Sequence, residues 1–88
     1  MSGVPEWRPA LAGSIVLRRD TLRDTDLLVM PERVVVLNEQ AGQILRLCDG
    51  SRTASDITGE LAERFPGMEI GPDIQEFLER VRKEGWVR

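Results

Sequence analysis

Three short apolar runs are followed by three amphipathic ones. Ile15-Val16-Leu17, Leu27-Leu28-Val29-Met30 and Val34-Val35-Val36-Leu37 are continuous and rich in β-branched residues, which predicts strands over 14–18, 27–30 and 33–37. The polar stretch 19–26 suits a hairpin loop, and Pro31-Glu32 a tight turn. After Leu37 the period lengthens. Ala41, Ile44, Leu45 and Cys48 recur at helical spacing between Asn38, a fitting N-cap, and Gly50, just past the end. Thr53-Ala54-Ser55-Asp56 has the form of a capping box and opens a helix whose Ile57, Leu61 and Phe65 share a face. Pro66-Gly67 ends it, and Gly71-Pro72 starts a third helix with Ile74, Phe77, Leu78 and Val81 on its apolar face. Residues 1–13, with Pro5 and Pro9, read as an irregular arm ahead of one domain over 14–88. The order predicts an α+β domain, a three-stranded antiparallel sheet followed by three helices that cover one of its faces.

The strands do not alternate apolar and polar residues as a half-wetted sheet would. Each places apolar groups on both faces, and the helices cover one. The other face is therefore an exposed interaction patch unless the arm, through Trp7, Pro9 and Leu11, folds over it. Self-association into a homodimer through that face is one consequence to test. The third strand is also an edge, with neither proline nor lysine to discourage pairing. Such an edge accepts an extended peptide by main-chain hydrogen bonding.

The chain has 88 residues, 41% apolar and 31% charged, in keeping with a single small globular domain. It contains no histidine, which removes the commonest general base and the Ser-His-Asp arrangement. The single cysteine, Cys48, makes neither a zinc site nor an internal disulfide, and it reads as a buried small hydrophobe. Asp73, Glu76 and Glu79 read as a solvated helix face, and no glycine-rich loop matches a phosphate motif. The expectation is a protein that is not an enzyme and uses no cofactor or metal. No apolar run approaches the ~20 residues of a membrane span, and residues 1–13 lack the features of a signal peptide, so the expected location is cytoplasmic, away from membranes. A winged-helix DNA-binding regulator is the main rival. The net charge of −3 and the four carboxylates against three cations in the third helix disfavour nucleic acid.

Pro31-Glu32-Arg33, the valine-rich strand, Leu37-Asn38-Glu39, and Ile44-Leu45-Arg46-Leu47-Cys48-Asp49-Gly50 with Arg52-Thr53 together resemble the PqqD family. The resemblance runs from Arg8-Pro9 to Gly85-Trp86-Val87. It implies a winged helix-turn-helix-like fold and a non-catalytic peptide chaperone of pyrroloquinoline quinone (PQQ) biosynthesis. Such a chaperone binds the leader of the precursor peptide PqqA and presents it to the radical S-adenosylmethionine enzyme PqqE. Stand-alone recognition domains of other ribosomal peptide pathways look similar. In related domains the leader is held as an added strand against the third helix. Carried onto this chain, the groove would use Arg33, Val34, Val35, Val36 and Leu37 on one side and Ile74, Gln75, Leu78 and Arg82 on the other. The Cys48-Asp49-Gly50 signature reads as structural.

Overall fold

The computed structural model describes residues 7–88. Three strands, β1 (Val16–Asp20), β2 (Thr25–Val29) and β3 (Val34–Leu37), precede three helices, α1 (Glu39–Arg46), α2 (Ala54–Arg64) and α3 (Gly71–Lys83). The sheet is an antiparallel meander in the order β1-β2-β3. This is the α+β arrangement that the change of period predicts.

β1 and β2 run further into the polar loop than their apolar residues suggest. The pairs Arg19↔Asp26 and Asp20↔Thr25 extend the ladder, so that only residues 21–24 turn the chain. The physical reason is charge. Arg19 donates to both Asp24 and Asp26, and the Asp20 carboxylate caps the turn by accepting from the N–H groups of Leu22 (3.1 Å) and Arg23 (3.3 Å). Asp24 takes the left-handed conformation (φ 53°), which aspartate tolerates better than most residues. At the other hairpin Pro31-Glu32 makes the two-residue turn, and Met30 N–H donates to the Arg33 carbonyl at 2.8 Å.

α1 and α2 start where their caps dictate, whereas α3 starts at Gly71-Pro72 without a side-chain cap. Asn38 accepts from Ala41 N–H at 2.7 Å, and Thr53 and Asp56 form a reciprocal capping box at the head of α2. α1 ends at Arg46 with Leu47 as its C-cap, one turn before the Asp49-Gly50 pair. Gly50 sits at φ +83° and donates to the Pro9 carbonyl. Asp49 accepts from the N–H (2.9 Å) and hydroxyl (2.6 Å) of Ser51, which holds its carboxyl below the usual range. The signature after α1 is thus a turn that fastens the arm.

Leu28, Leu45, Ile57, Leu78 and Val81 form the centre of the core, where all three helices meet the inner sheet face. Cys48 lies within it, and burial together with the neighbouring Asp49 charge pushes its thiol up to about 12. It is a packing residue rather than a nucleophile at neutral pH. The arm does not cross the outer sheet face over residues 7–13. It runs along the helical side instead. Ala10 pairs with Asp49 and Leu11 with Val87, Trp7 accepts from Ala54 N–H through its carbonyl, and its indole N–H donates to the Arg88 carbonyl at 2.6 Å. Backbone groups of the C-terminal segment draw it there.

Candidate functional site

The free edge of β3 can be resolved residue by residue. Residues of an antiparallel pair alternate between hydrogen-bonded and non-hydrogen-bonded positions. The Met30–Arg33 bond closes the hairpin as a hydrogen-bonded pair, so Leu28↔Val35 and Asp26↔Leu37 are hydrogen-bonded pairs as well. Val34 and Val36 occupy the alternate positions, and their N–H and C=O groups point away from β2 to the open edge. Their side chains point to the outer sheet face and are 55% and 61% exposed. Val35 and Leu37 turn inward, toward the helices.

α3 passes β3 in the opposite direction. Pro31, Glu32 and Arg33 share a small cavity with Glu84, Gly85 and Trp86, whereas Asn38, at the far end of β3, shares a larger cleft with the first half of α3. That cleft, of about 380 Å³, separates α1 from α3. Ala41, Ile44, Leu61, Phe65, Ile74 and Phe77 give it an apolar floor, and Gln40, Gln43, Asp73, Glu76 and Arg80 stand around its mouth. Met68, 57% exposed, completes the lining beside it. The α3 residues facing the cleft are therefore Ile74 on its floor and Asp73, Glu76, Phe77 and Arg80, an i, i+3, i+4, i+7 face, along its side.

The groove residues expected on α3 separate under this geometry. Ile74 is buried and contributes to the cleft floor. Leu78 is 1% exposed in the core, where it has no surface to offer a ligand. Gln75 is exposed and lines none of the cavities described above. Arg82 stacks on the Trp7 ring, 4.4 Å from its centroid, and so serves the arm. On β3, Arg33 and the run Val34, Val35, Val36 and Leu37 are brought together along one edge. Phe77 and Arg80 are the residues that sequence reading passed over. The only available signal was that the apolar stripe of α3 is wider than one neighbouring helix needs.

An ion cluster anchors the Leu37 end of this edge. Asp26, 3% exposed, accepts from Arg46 at 2.6 Å and from Arg19 at 3.3 Å. The Arg46 hydrogen bond, seconded by Arg19, holds the Asp26 carboxyl below the usual range against the opposing effect of burial. A lowered folded-state pKa means that the unfolded chain binds the proton more readily. The stabilisation is then fully present above the unfolded value of about 3.9 and is lost as pH falls through the folded one. Denaturant titrations should show stability declining below about pH 4, and Asp26→Asn should flatten that decline. Among the described residues no group of three His, Cys, Asp or Glu side chains is placed to hold a metal. No described helix is long and apolar enough to cross a membrane.

Comparison with known proteins decides the family. Residues 27–87 match the family described as coenzyme PQQ synthesis protein D (PqqD). The chain belongs to the PqqD family. It is similar to the PqqA binding protein of Pseudomonas entomophila (strain L48), 36% identical over 85 residues that cover 96% of this chain and 89% of the relative. It is also similar to the PqqA binding protein of Methylococcus capsulatus (strain Bath), 31% identical over 88 residues, covering 100% and 95%. Among solved structures it resembles the PqqD truncation of Methylobacterium extorquens PqqCD, determined by solution NMR. That domain is described as a functional, stand-alone recognition element for ribosomally synthesised and post-translationally modified peptides. The TM-score is 0.73 at 29% identity, over 91% of this chain and 87% of that one. The PqqD match takes in β3 and the helices α1 and α3 that line the cleft.

Proposed function

We propose that this PqqD-family domain is a non-catalytic, cytoplasmic peptide chaperone that binds the leader of PqqA and presents it to PqqE for PQQ biosynthesis. The observation that carries the reading is the open β3 edge, with the main-chain groups of Val34 and Val36 unsatisfied by β2, next to an apolar cleft of side-chain size. The PqqA binding described for the relatives supports the same reading. An added strand takes its affinity from main-chain bonds and its specificity from pockets for alternate side chains. Peptide residues facing inward beside Val35 and Leu37 reach toward Phe77, Ile44 and Arg80, and those facing outward stand beside Val34 and Val36. Holding the leader raises the effective concentration of the reacting segment at the enzyme, to about millimolar for a short tether. No acid, base or nucleophile is needed from this chain for that role.

The test is calorimetric titration of PqqA into the wild-type protein and two variants. Wild type should bind, and the reading fails if no heat is seen at tens of micromolar peptide. Phe77→Ala should weaken binding about tenfold while leaving the fold intact by circular dichroism, since Phe77 is half-buried at the cleft. Val36→Pro should weaken it comparably, because it removes an edge donor and leaves the β2 ladder whole. Val35→Pro, by contrast, deletes a ladder bond and should lower stability instead.

A further inference from the structure

The outer face of the sheet carries a second surface that peptide binding does not consume. Cross-strand pairing sets two apolar rows on it, Val16–Val29–Val34 and Arg18–Leu27–Val36. Val16, Val34 and Val36 are 51%, 55% and 61% exposed, and no described part of the arm crosses them. Arg18 stands exposed in the second row and forms no ion pair with a described residue. Among the described strand residues the one carboxylate on this face, Asp20, is engaged by the turn N–H groups and by Arg23 at 3.8 Å.

We infer that this face, widened by the bound peptide strand, is the docking surface for the protein that modifies the peptide. The inference rests on the added-strand reading above. Val34 and Val36 belong to both surfaces, for their main chains face the peptide and their side chains face outward. A strand added at the β3 edge continues the same pleat, so its outward side chains extend the two rows. A partner seated on the face touches chaperone and peptide together.

Area and charge select this occupant over a second copy of the chain. The three exposed valines amount to on the order of 250 Å², against about 800 Å² per partner in a stable specific interface. Packing the face on itself also leaves Arg18 without a free carboxylate to meet. A different protein with an apolar patch and an acidic residue opposite Arg18 meets both demands, and the added strand supplies area that the free domain lacks. The coupling is reciprocal: whatever the peptide adds to partner affinity, the partner adds to peptide affinity.

The experiment uses Val16→Glu and Arg18→Glu, both on β1, two strands away from the peptide edge. Affinity for PqqA is measured by calorimetry, and affinity for PqqE, with and without PqqA, by surface immobilisation. The expected result is peptide affinity within twofold of wild type and PqqE affinity at least tenfold weaker in both variants, with wild-type PqqE affinity at least fivefold higher for the peptide-loaded protein. Unchanged PqqE affinity in both variants, with peptide still bound, overturns the inference and leaves the peptide reading standing. A wild-type dimer in sedimentation that Val16→Glu dissociates also overturns it, because the occupant is then a second copy. Absence of peptide binding by wild type overturns both. If circular dichroism shows Val16→Glu unfolded, Arg18→Glu decides alone, since its side chain already lies in solvent.

Discussion

Gly42→Ala is expected to destabilise the domain by about 2–3 kcal/mol, read as a lowered urea midpoint with unchanged slope. On an exposed helix this change stabilises by about 0.5–1 kcal/mol, because alanine loses less backbone freedom. Here the sign reverses. A Cβ at Gly42 would lie 2.0 Å from Asp26 Oδ2 and 2.8 Å from its Cγ. The carboxylate cannot swing aside without giving up Arg46, and the alternative is to lift α1 off β2. Since α1 forms one wall of the cleft, peptide affinity should fall along with stability. A double-mutant cycle isolates the cause. In an Asp26→Ala background the contacts with Oδ2 and Cγ are gone and a tight 3.1 Å Cβ–Cβ approach remains, so Gly42→Ala should cost much less than in the wild type. Asp26→Ala itself should cost only about 1–3 kcal/mol, below the usual figure for breaking a buried pair, because Arg19 and Arg46 are nearly half exposed and return to water.

Leu78→Ala is the second large effect, about 2–5 kcal/mol. Leu78 is sealed in the core with Leu28, Leu45, Ile57 and Val81, and removing its branched end leaves a cavity that rigid neighbours fill poorly. For a domain of this size total stability is about 4–13 kcal/mol, so the variant approaches partial unfolding. The comparison with Phe77→Ala is the informative part. One position further along α3 than Phe77, the expected loss changes from affinity to stability. If Leu78→Ala kept its melting temperature and lost PqqA binding, α3 would be rotated from the orientation described here.

The proposed peptide-docking role of β3 accounts for a feature that is otherwise odd in a small domain. Charged and proline residues are the usual protection of a sheet edge, yet β3 is four aliphatic residues. Its protection is shortness, and the four residues leave two outward-facing main-chain positions. A peptide that pairs there gains a few directional bonds and must find the rest of its affinity in side chains, which is the work assigned to the α1–α3 cleft.

Much of this was legible in the sequence because it is decided locally. Strand and helix identities follow from a period that switches once, near Asn38. The two best helix starts follow from side chains that can reach their own backbone three residues on, as Asn38 and Thr53 do. The β1–β2 hairpin was read too short because Arg19 and Asp26 look like loop residues until Arg46, twenty residues beyond Asp26, closes the ion cluster that makes them strand. The same limit governed the site. Edge status of β3 and absence of histidine chemistry can be read along the chain, and the family wording supplied the kind of ligand. Which side of α3 meets it cannot.

The sequence by itself determined the order of elements, the caps of α1 and α2, the bare aliphatic edge and the absence of histidine, since each depends on composition or on residues within about a turn or a strand of one another. The tertiary structure decided the parity of β3, which aims Val34 and Val36 rather than Val35 at the edge. It also fixed the rotation of α3, which buries Leu78 and turns Phe77 and Arg80 to the cleft, and the path of residues 7–13, which takes Arg82 for Trp7 and follows the helical side rather than the outer sheet face. Those outcomes depend on how whole elements pack. A rotation of one helix by one residue, about 100°, changes every side chain's role without altering the amphipathic pattern that formed it.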